Sequence, residues 1–291
     1  MRALSETPDT VSTPKPLSTQ NLPRHAGGGA RPRATPAPAT GGKEFMASLA
    51  KGLSVLGAFG EHRPTMSLTE AAAVTGLSRA AARRVLLTLA ELGYVEQNGR
   101  DFTLAPRILE LGFAYLSIRP WIERAEPLMK ELSRECGAAC SAAILQGSET
   151  VIVARTPASA WLMTMGVGVG TRLPAFHTAL GRIQLGFVDE AELVRRLSAA
   201  RIEAYTPNTV VDVSGLIERV KTDHLQGFSI VDEELEPGLR ALAVPLVARS
   251  GEAVGAIDLS AHANRTTRNE MRDVFLPRLR QAAEKISRAL V

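Results

Sequence analysis

The chain has 291 residues, enough for two ordinary domains, and 45% of them are hydrophobic, enough to fill globular cores. A formal net charge of +4 is too mild to show a polyanion partner by itself, so where the arginines sit matters more than their number. Two cysteines, Cys136 and Cys140, exclude a disulfide framework; the lack of a signal peptide or an unbroken apolar run of about 18 residues points to the cytoplasm and away from a membrane.

Residues 1–42 are rich in Pro, Thr, Ser, Ala and Gly, as in GGGARPRATPAPATGG, and predict a disordered tail. From Phe45 the pattern changes. Phe45, Leu49, Leu53, Leu56 and Phe59 recur at helical spacing and predict a first amphipathic helix, stopped by Gly60 and Pro64. Ser67 and Glu70 have the spacing of a capping box, so a short second helix is expected over roughly Leu68 to Val74. Gly76 then turns the chain, and Ser78 caps a third helix running to about Leu92. YVEQNGRDFTL follows as a hairpin with a type I′ turn at Asn98-Gly99. Helix, helix, turn, helix, hairpin is the order of a winged helix-turn-helix.

Pro106 opens a connecting helix with Ile108, Leu111 and Tyr115 on one side, and Trp121 to about Glu135 opens another domain. Beyond Cys140 the hydrophobic period shifts towards two. SAAILQGSETVIVAR and LRALAVPLVARSGEAVGAIDLSA each read as two strands around a turn. Between them lie a Gly-rich strand and loop, a helix from about Thr178 and another near Val213–Gln226; a last helix spans roughly Arg268 to Leu290. Strand pairs mixed with helices predict an α+β fold with a largely antiparallel sheet.

The third helix carries the main functional signal. Ala82, Val85, Leu86, Leu89 and Leu92 share its apolar side, while Ala80, Arg83, Arg84 and Thr88 lie opposite, with Arg79 at the border. Only Glu91, at the far end, opposes these cations, whereas an ordinary solvated face mixes signs at i,i+4 spacing. Guanidinium groups on a helix after a tight turn suit guanine edges or phosphates in a major groove. Ser67, Ser78 and Arg100 join the expected contacts, although Arg100 reads equally well as an ordinary turn residue. Leu87 projects towards the polar face, where a thymine methyl or a protein neighbour would suit it.

FMASLAKGLSVLGAF and GLSRAAARRVLLTLAELGYV resemble the IclR family of bacterial transcription factors, and GVGTRLPAFHTALGR, DEELEPGLRALAVPL and AIDLS resemble that family's effector-binding domain. The resemblance runs from about Phe45 to Val291 and is nearest to the β-ketoadipate branch, regulators of aromatic acid breakdown. After the tail (1–42), it implies a winged helix-turn-helix (43–105), a linker helix (106–119) and a GAF-like effector-binding domain (120–291). A homodimer or homotetramer would bind a palindromic operator on double-stranded DNA, and a small carboxylate effector would alter that binding or contacts with RNA polymerase. A repressor of another carboxylate pathway, such as glyoxylate or acetate use, is one alternative, and a metabolite-binding or enzymatic module with an auxiliary DNA-binding domain is another.

Carried over by position, the effector pocket comprises Thr178, Ala179, Leu180 and Gly181 at a helix start, with Leu239, Ala241, Asp258 and Ser260 on two strands. Free amides at that helix start are expected to favour an anion. Asp258 would repel a carboxylate unless it bonds a ligand hydroxyl, or unless Arg172 or His177 offsets it; Arg172 could equally hold its own loop. No cofactor, metal site or enzymatic constellation is expected. His62, His177, His224 and His262 lack zinc spacing, GVGVG lacks a dinucleotide fingerprint, and Asp232-Glu233-Glu234-Leu235-Glu236 reads as a charged turn entering a strand.

Overall fold

The computed structural model describes residues 44–60, 63–157, 166–288 and 290. The tail expected over 1–42 and His62 lie outside these residues.

The first domain packs α1 (Ala47–Leu56), α2 (Leu68–Thr75) and α3 (Arg79–Glu91) against a three-stranded sheet in the order β1-β3-β2. Its strands are β1 (Thr65–Ser67), β2 (Val95–Asn98) and β3 (Asp101–Leu104), all antiparallel. Val55, Met66, Leu86, Leu89, Val95 and Phe102 form its core. Strand β1 is too short to show a period of two, so only the hairpin was legible in sequence. The hairpin turn also differs from expectation. Asn98 pairs with Asp101, so the loop is Gly99-Arg100, and Gly99 takes the left-handed φ of 62°. That places glycine first in the loop, the pattern of a type II′ turn rather than I′.

The predicted stripe on α1 faces the wrong way for a monomer core. Val55 and Phe59 are buried, but Phe45, Leu49 and Leu53 are exposed. Helix α4 (Ile108–Ser117) buries no residue at all; Leu109 and Phe113 are each 71% exposed.

The second domain is a six-stranded, wholly antiparallel sheet, β6-β5-β4-β9-β8-β7. Its strands are β4 (Ala139–Gln146), β5 (Glu149–Thr156), β6 (Arg172–Pro174), β7 (Ser229–Asp232), β8 (Leu239–Val247) and β9 (Ala253–His262). Alternation decides what each face does. Leu242, Val244, Leu246, Ile257 and Leu259 point to one side and pack with Trp121, Met129 and Leu132 of α5 (Pro120–Cys136) and Leu279 and Ile286 of α10 (Leu276–Ser287). Each such side chain contributes about 1.5–3 kcal/mol of burial. The opposite face carries smaller residues, Ala143, Ala241, Ala243 and Ala256, under Ala179, Leu180 and Ile183 of α6 (Ala179–Leu185). This floor of small side chains leaves room between sheet and helix.

The helix expected from about Thr178 is α6, and a further one that was not expected follows it: α7 (Glu190–Ala199), whose first turn is capped by Asp189 accepting the Glu192 N–H at 2.8 Å. Helix α8 (Val213–Gln226) stands as expected. The last helix is interrupted: α9 (Arg268–Glu270) runs through a π turn at Met271–Phe275 into α10. Pro277 cannot donate into an α ladder, and the wider turn just before it absorbs that break.

Candidate functional site

Two regions collect the candidate residues. In the first, the Ser67–Glu70 capping box forms in full: the Glu70 carboxylate accepts the Ser67 N–H at 2.8 Å, and Ser67 Oγ accepts the Glu70 N–H at 3.3 Å. Hydrogen bonding to Ser67 holds the Glu70 carboxyl below its usual range. Gly76 closes α2 in the left-handed conformation, and Ser78 Oγ accepts the Ala81 N–H at 3.2 Å. These caps set the angle at which α3 leaves the turn.

On α3, Ala82, Leu86 and Leu89 are buried, Val85 is half-buried, and Arg79, Ala80, Arg83, Arg84, Leu87 and Thr88 are exposed. Leu92, expected on the buried side, is 51% exposed. Arg79 donates to Thr69 Oγ1 at 3.0 Å, and Thr88 donates its hydroxyl proton to the Arg84 carbonyl at 2.9 Å. Among the described residues, Arg83, Arg84 and Arg100 have neither an acidic partner nor a side-chain hydrogen bond. Three solvated guanidinium groups therefore project from α3 and the hairpin tip.

The second region is a cavity between the small-residue face of the sheet and the Ala175–His177 turn leading into α6. Of the residues proposed from the sequence for the effector pocket, His177, Thr178, Ala179, Leu180, Leu239, Ala241, Asp258 and Ser260 line it. Two expected members do not. Arg172 is exposed, paired with Glu149 at 2.8 Å and donating to Gln146 at 2.7 Å, so it staples the edge strand β6 to the β4–β5 hairpin. Gly181 is buried against the preceding turn, where a Cβ would stand 2.2 Å from the Ala175 carbonyl oxygen; glycine is needed there for packing. One of the amides at this helix start is taken, since Thr178 Oγ1 accepts the Gly181 N–H at 3.2 Å, and α6 has only seven residues.

Sequence reasoning missed Ser141, Ile152, Arg155, Val167, Leu173, Val231 and Leu235 in the lining. Arg155 is the consequential one. The register sets Ser141 of β4 opposite Arg155 of β5 on one side and opposite Asp258 of β9 on the other. Arg155 donates to Ser141 Oγ at 3.0 Å; the Asp258 carboxylate accepts the Ser141 N–H at 2.8 Å and the Ser260 hydroxyl at 2.9 Å. Burial nevertheless pushes the Asp258 carboxyl up to about 6, against the lowering pull of Ser260 and Arg155. Arg155, rather than Arg172 or His177, is thus the cation beside Asp258. Burial first, and then the Arg182 charge, bring His177 down to about 4, so its imidazole is neutral at physiological pH.

The expected charged turn at 232–236 is also more than that. Glu234 is buried and forms a two-pronged pair with Arg182 of α6, with Nη1 to Oε1 at 2.9 Å, while Arg182 Nε donates to the Phe176 carbonyl at 2.8 Å. Thr206 and Thr209 donate to the Glu233 and Glu234 carbonyls, both at 2.6 Å. This network clamps the loop bearing Leu235 to the turn bearing His177, two walls of the cavity. No group of His, Cys, Asp or Glu among the described residues could hold a metal ion, and no helix among them is long and apolar enough to cross a membrane.

Comparison with known proteins gives the same two halves. Residues 48–99 match the IclR helix-turn-helix domain, and residues 113–288 match the bacterial transcriptional regulator IclR C-terminal domain. The chain is 38% identical over 251 residues to the Pca regulon regulatory protein of Pseudomonas putida, covering 86% of each. It is 31% identical over 248 residues to the p-hydroxybenzoate hydroxylase transcriptional activator of Acinetobacter baylyi, covering 84% of this chain and 92% of that one. The inducer-binding domain of a PobR double mutant from Acinetobacter, solved with 3-hydroxybenzoic acid, is similar over 57% of this chain and 97% of its own, with 25% identity and a TM-score of 0.54.

Proposed function

The chain belongs to the IclR family of transcriptional regulators, and from that premise we propose that it controls aromatic acid catabolism genes by binding a small aromatic carboxylate in the cavity of its second domain. One observation carries this reading: one wall of a cavity lined mainly by apolar side chains holds the Arg155 guanidinium, donating to the Ser141 hydroxyl, next to the Asp258 carboxylate and the Ser260 hydroxyl bonded to it. An apolar ring with one acidic end suits such a lining. The p-hydroxybenzoate hydroxylase transcriptional activator among the relatives, and the inducer-binding domain solved with 3-hydroxybenzoic acid, support it.

The DNA-binding unit in this reading spans 43–105, the linker 106–119 and the effector unit 120–291. The exposed apolar faces of α1 and α4 are covered by a second copy, which supplies the symmetry for two half-sites of a palindrome. Effector binding shifts the relative placement of the paired DNA-binding units, and it does so only to the extent that it favours one arrangement. Thermal unfolding against 4-hydroxybenzoate, protocatechuate, β-ketoadipate, glyoxylate and pyruvate tests the ligand class. An aromatic or β-keto acid is expected to raise the midpoint, by about 2.7 kcal/mol of added stability at a hundred times its dissociation constant. A shift with glyoxylate or pyruvate alone would move the protein to the other carboxylate branch. Sedimentation of the same preparation as a monomer would remove the paired arrangement.

On the DNA side, Arg83→Ala and Arg84→Ala are each expected to cost about 1–3 kcal/mol of operator binding if the arginine reads a base, with specificity relaxed at one position. A phosphate contact would instead weaken all sequences alike and reduce the salt dependence. Titration of both variants at two salt concentrations separates these, and unchanged binding in the double variant would remove α3 from the groove.

A further inference from the structure

Resting on the aromatic-acid reading of the cavity, we infer that His177 is the residue that selects a ring hydroxyl on the effector, at a point separate from the carboxylate-binding wall of Arg155, Ser141 and Ser260. His177 is completely buried and lines the cavity, yet among the described residues neither of its ring nitrogens has a hydrogen-bond partner. Buried polar groups are almost always paired, and an unpaired one costs free energy that a ligand can recover. The ring is positioned rather than loose. Tyr205 meets it edge-on with ring centroids 5.5 Å apart, and the preceding carbonyl, that of Phe176, is held by Arg182.

The chemistry of the imidazole selects the group it meets. Burial is the main reason the ring stays uncharged; of the charged groups that act on it, Arg182 works the same way and Glu234 opposes it. A neutral imidazole offers one donor and one acceptor, the same complement as a hydroxyl, so each nitrogen or either one alone finds a match there. A carboxylate only accepts, and it is better served by the guanidinium and hydroxyls across the cavity. Hydroxybenzoates present both groups on one rigid ring, whereas benzoate lacks the one that His177 would read.

Calorimetric titration of the full-length protein with 4-hydroxybenzoate, 3-hydroxybenzoate and benzoate tests this. The wild type is expected to bind at least one hydroxybenzoate about tenfold more tightly than benzoate. H177F keeps the ring's bulk without its nitrogens, so it should erase that preference, read as the ratio of hydroxybenzoate to benzoate affinity within the variant. A preference that survives H177F, or a wild type with no preference, would overturn the role of His177 and leave the aromatic-acid reading in place. Failure of the wild type to bind any of the three would overturn both. Histidine ring ¹⁵N spectra of the wild type supply a readout independent of the variant's folding. The His177 nitrogens should shift with hydroxybenzoate and not with benzoate; equal shifts with both would count against the assignment.

Discussion

Glu234→Ala is expected to destabilise the protein by about 3–5 kcal/mol, the cost of leaving a buried guanidinium without its counter-charge. The Arg182 side chain is 1% exposed, and Glu234 is the carboxylate that receives both of its prongs, so truncation strands the charge in a site where water cannot replace the partner. Arg219, 3.5 Å from the same carboxylate, loses its partner as well, but it is half-exposed and adds little. Replacing both members, Arg182→Met with Glu234→Leu, should recover most of the loss, because apolar side chains of similar volume carry no desolvation penalty. A residual cost of about 1–3 kcal/mol is expected, since the Phe176 carbonyl then lacks the Arg182 Nε donor. Urea unfolding of the single and double variants checks both values. A single variant within about 1 kcal/mol of wild type would show that the pair is solvated in solution and not the clamp described here.

How far the sequence reached depends on the distance over which each feature is encoded. The caps at Ser67, Ser78 and Gly76 are local chemistry, written within four residues, and all three were legible. So was the apolar seam of Ala82, Leu86 and Leu89, because helical periodicity needs only one element to be read. Arg155 was not legible. It stands beside Asp258 only because β4 lies between β5 and β9, and strand order is a property of the whole sheet. Glu234 failed for the same reason. Within DEELE it reads as one of a run of solvated acids, and its partner lies 52 residues away on another element. The stripe on α1 shows the opposite limit: periodicity reports that Phe45, Leu49 and Leu53 share a face, but not which molecule covers that face.

Asp258 and His177 make a paired prediction about pH. For Asp258 the unfolded carboxyl titrates at its ordinary 3.8 and the folded one at about 6. Between those values the folded state holds the extra proton, so stability falls as pH rises through the window, by about 3 kcal/mol in all. For His177 the unfolded ring titrates at 6.5 and the folded ring at about 4. There the unfolded state holds the extra proton, and stability falls as pH drops through nearly the same window, again by about 3 kcal/mol. In the wild type these slopes oppose each other and largely cancel. Asp258→Asn keeps an acceptor for the Ser141 N–H and exchanges the other oxygen for an amide that can donate to Ser260, so the fold should tolerate it. Its stability advantage over wild type should grow by about 3 kcal/mol between pH 4 and pH 6.5, whereas that of H177F should shrink by a similar amount over the same interval. Denaturant midpoints at four or five pH values in that range decide the matter. Parallel curves for all three proteins would mean that neither group is held in the environment the cavity imposes, and the argument for a neutral His177 facing the effector would go with it.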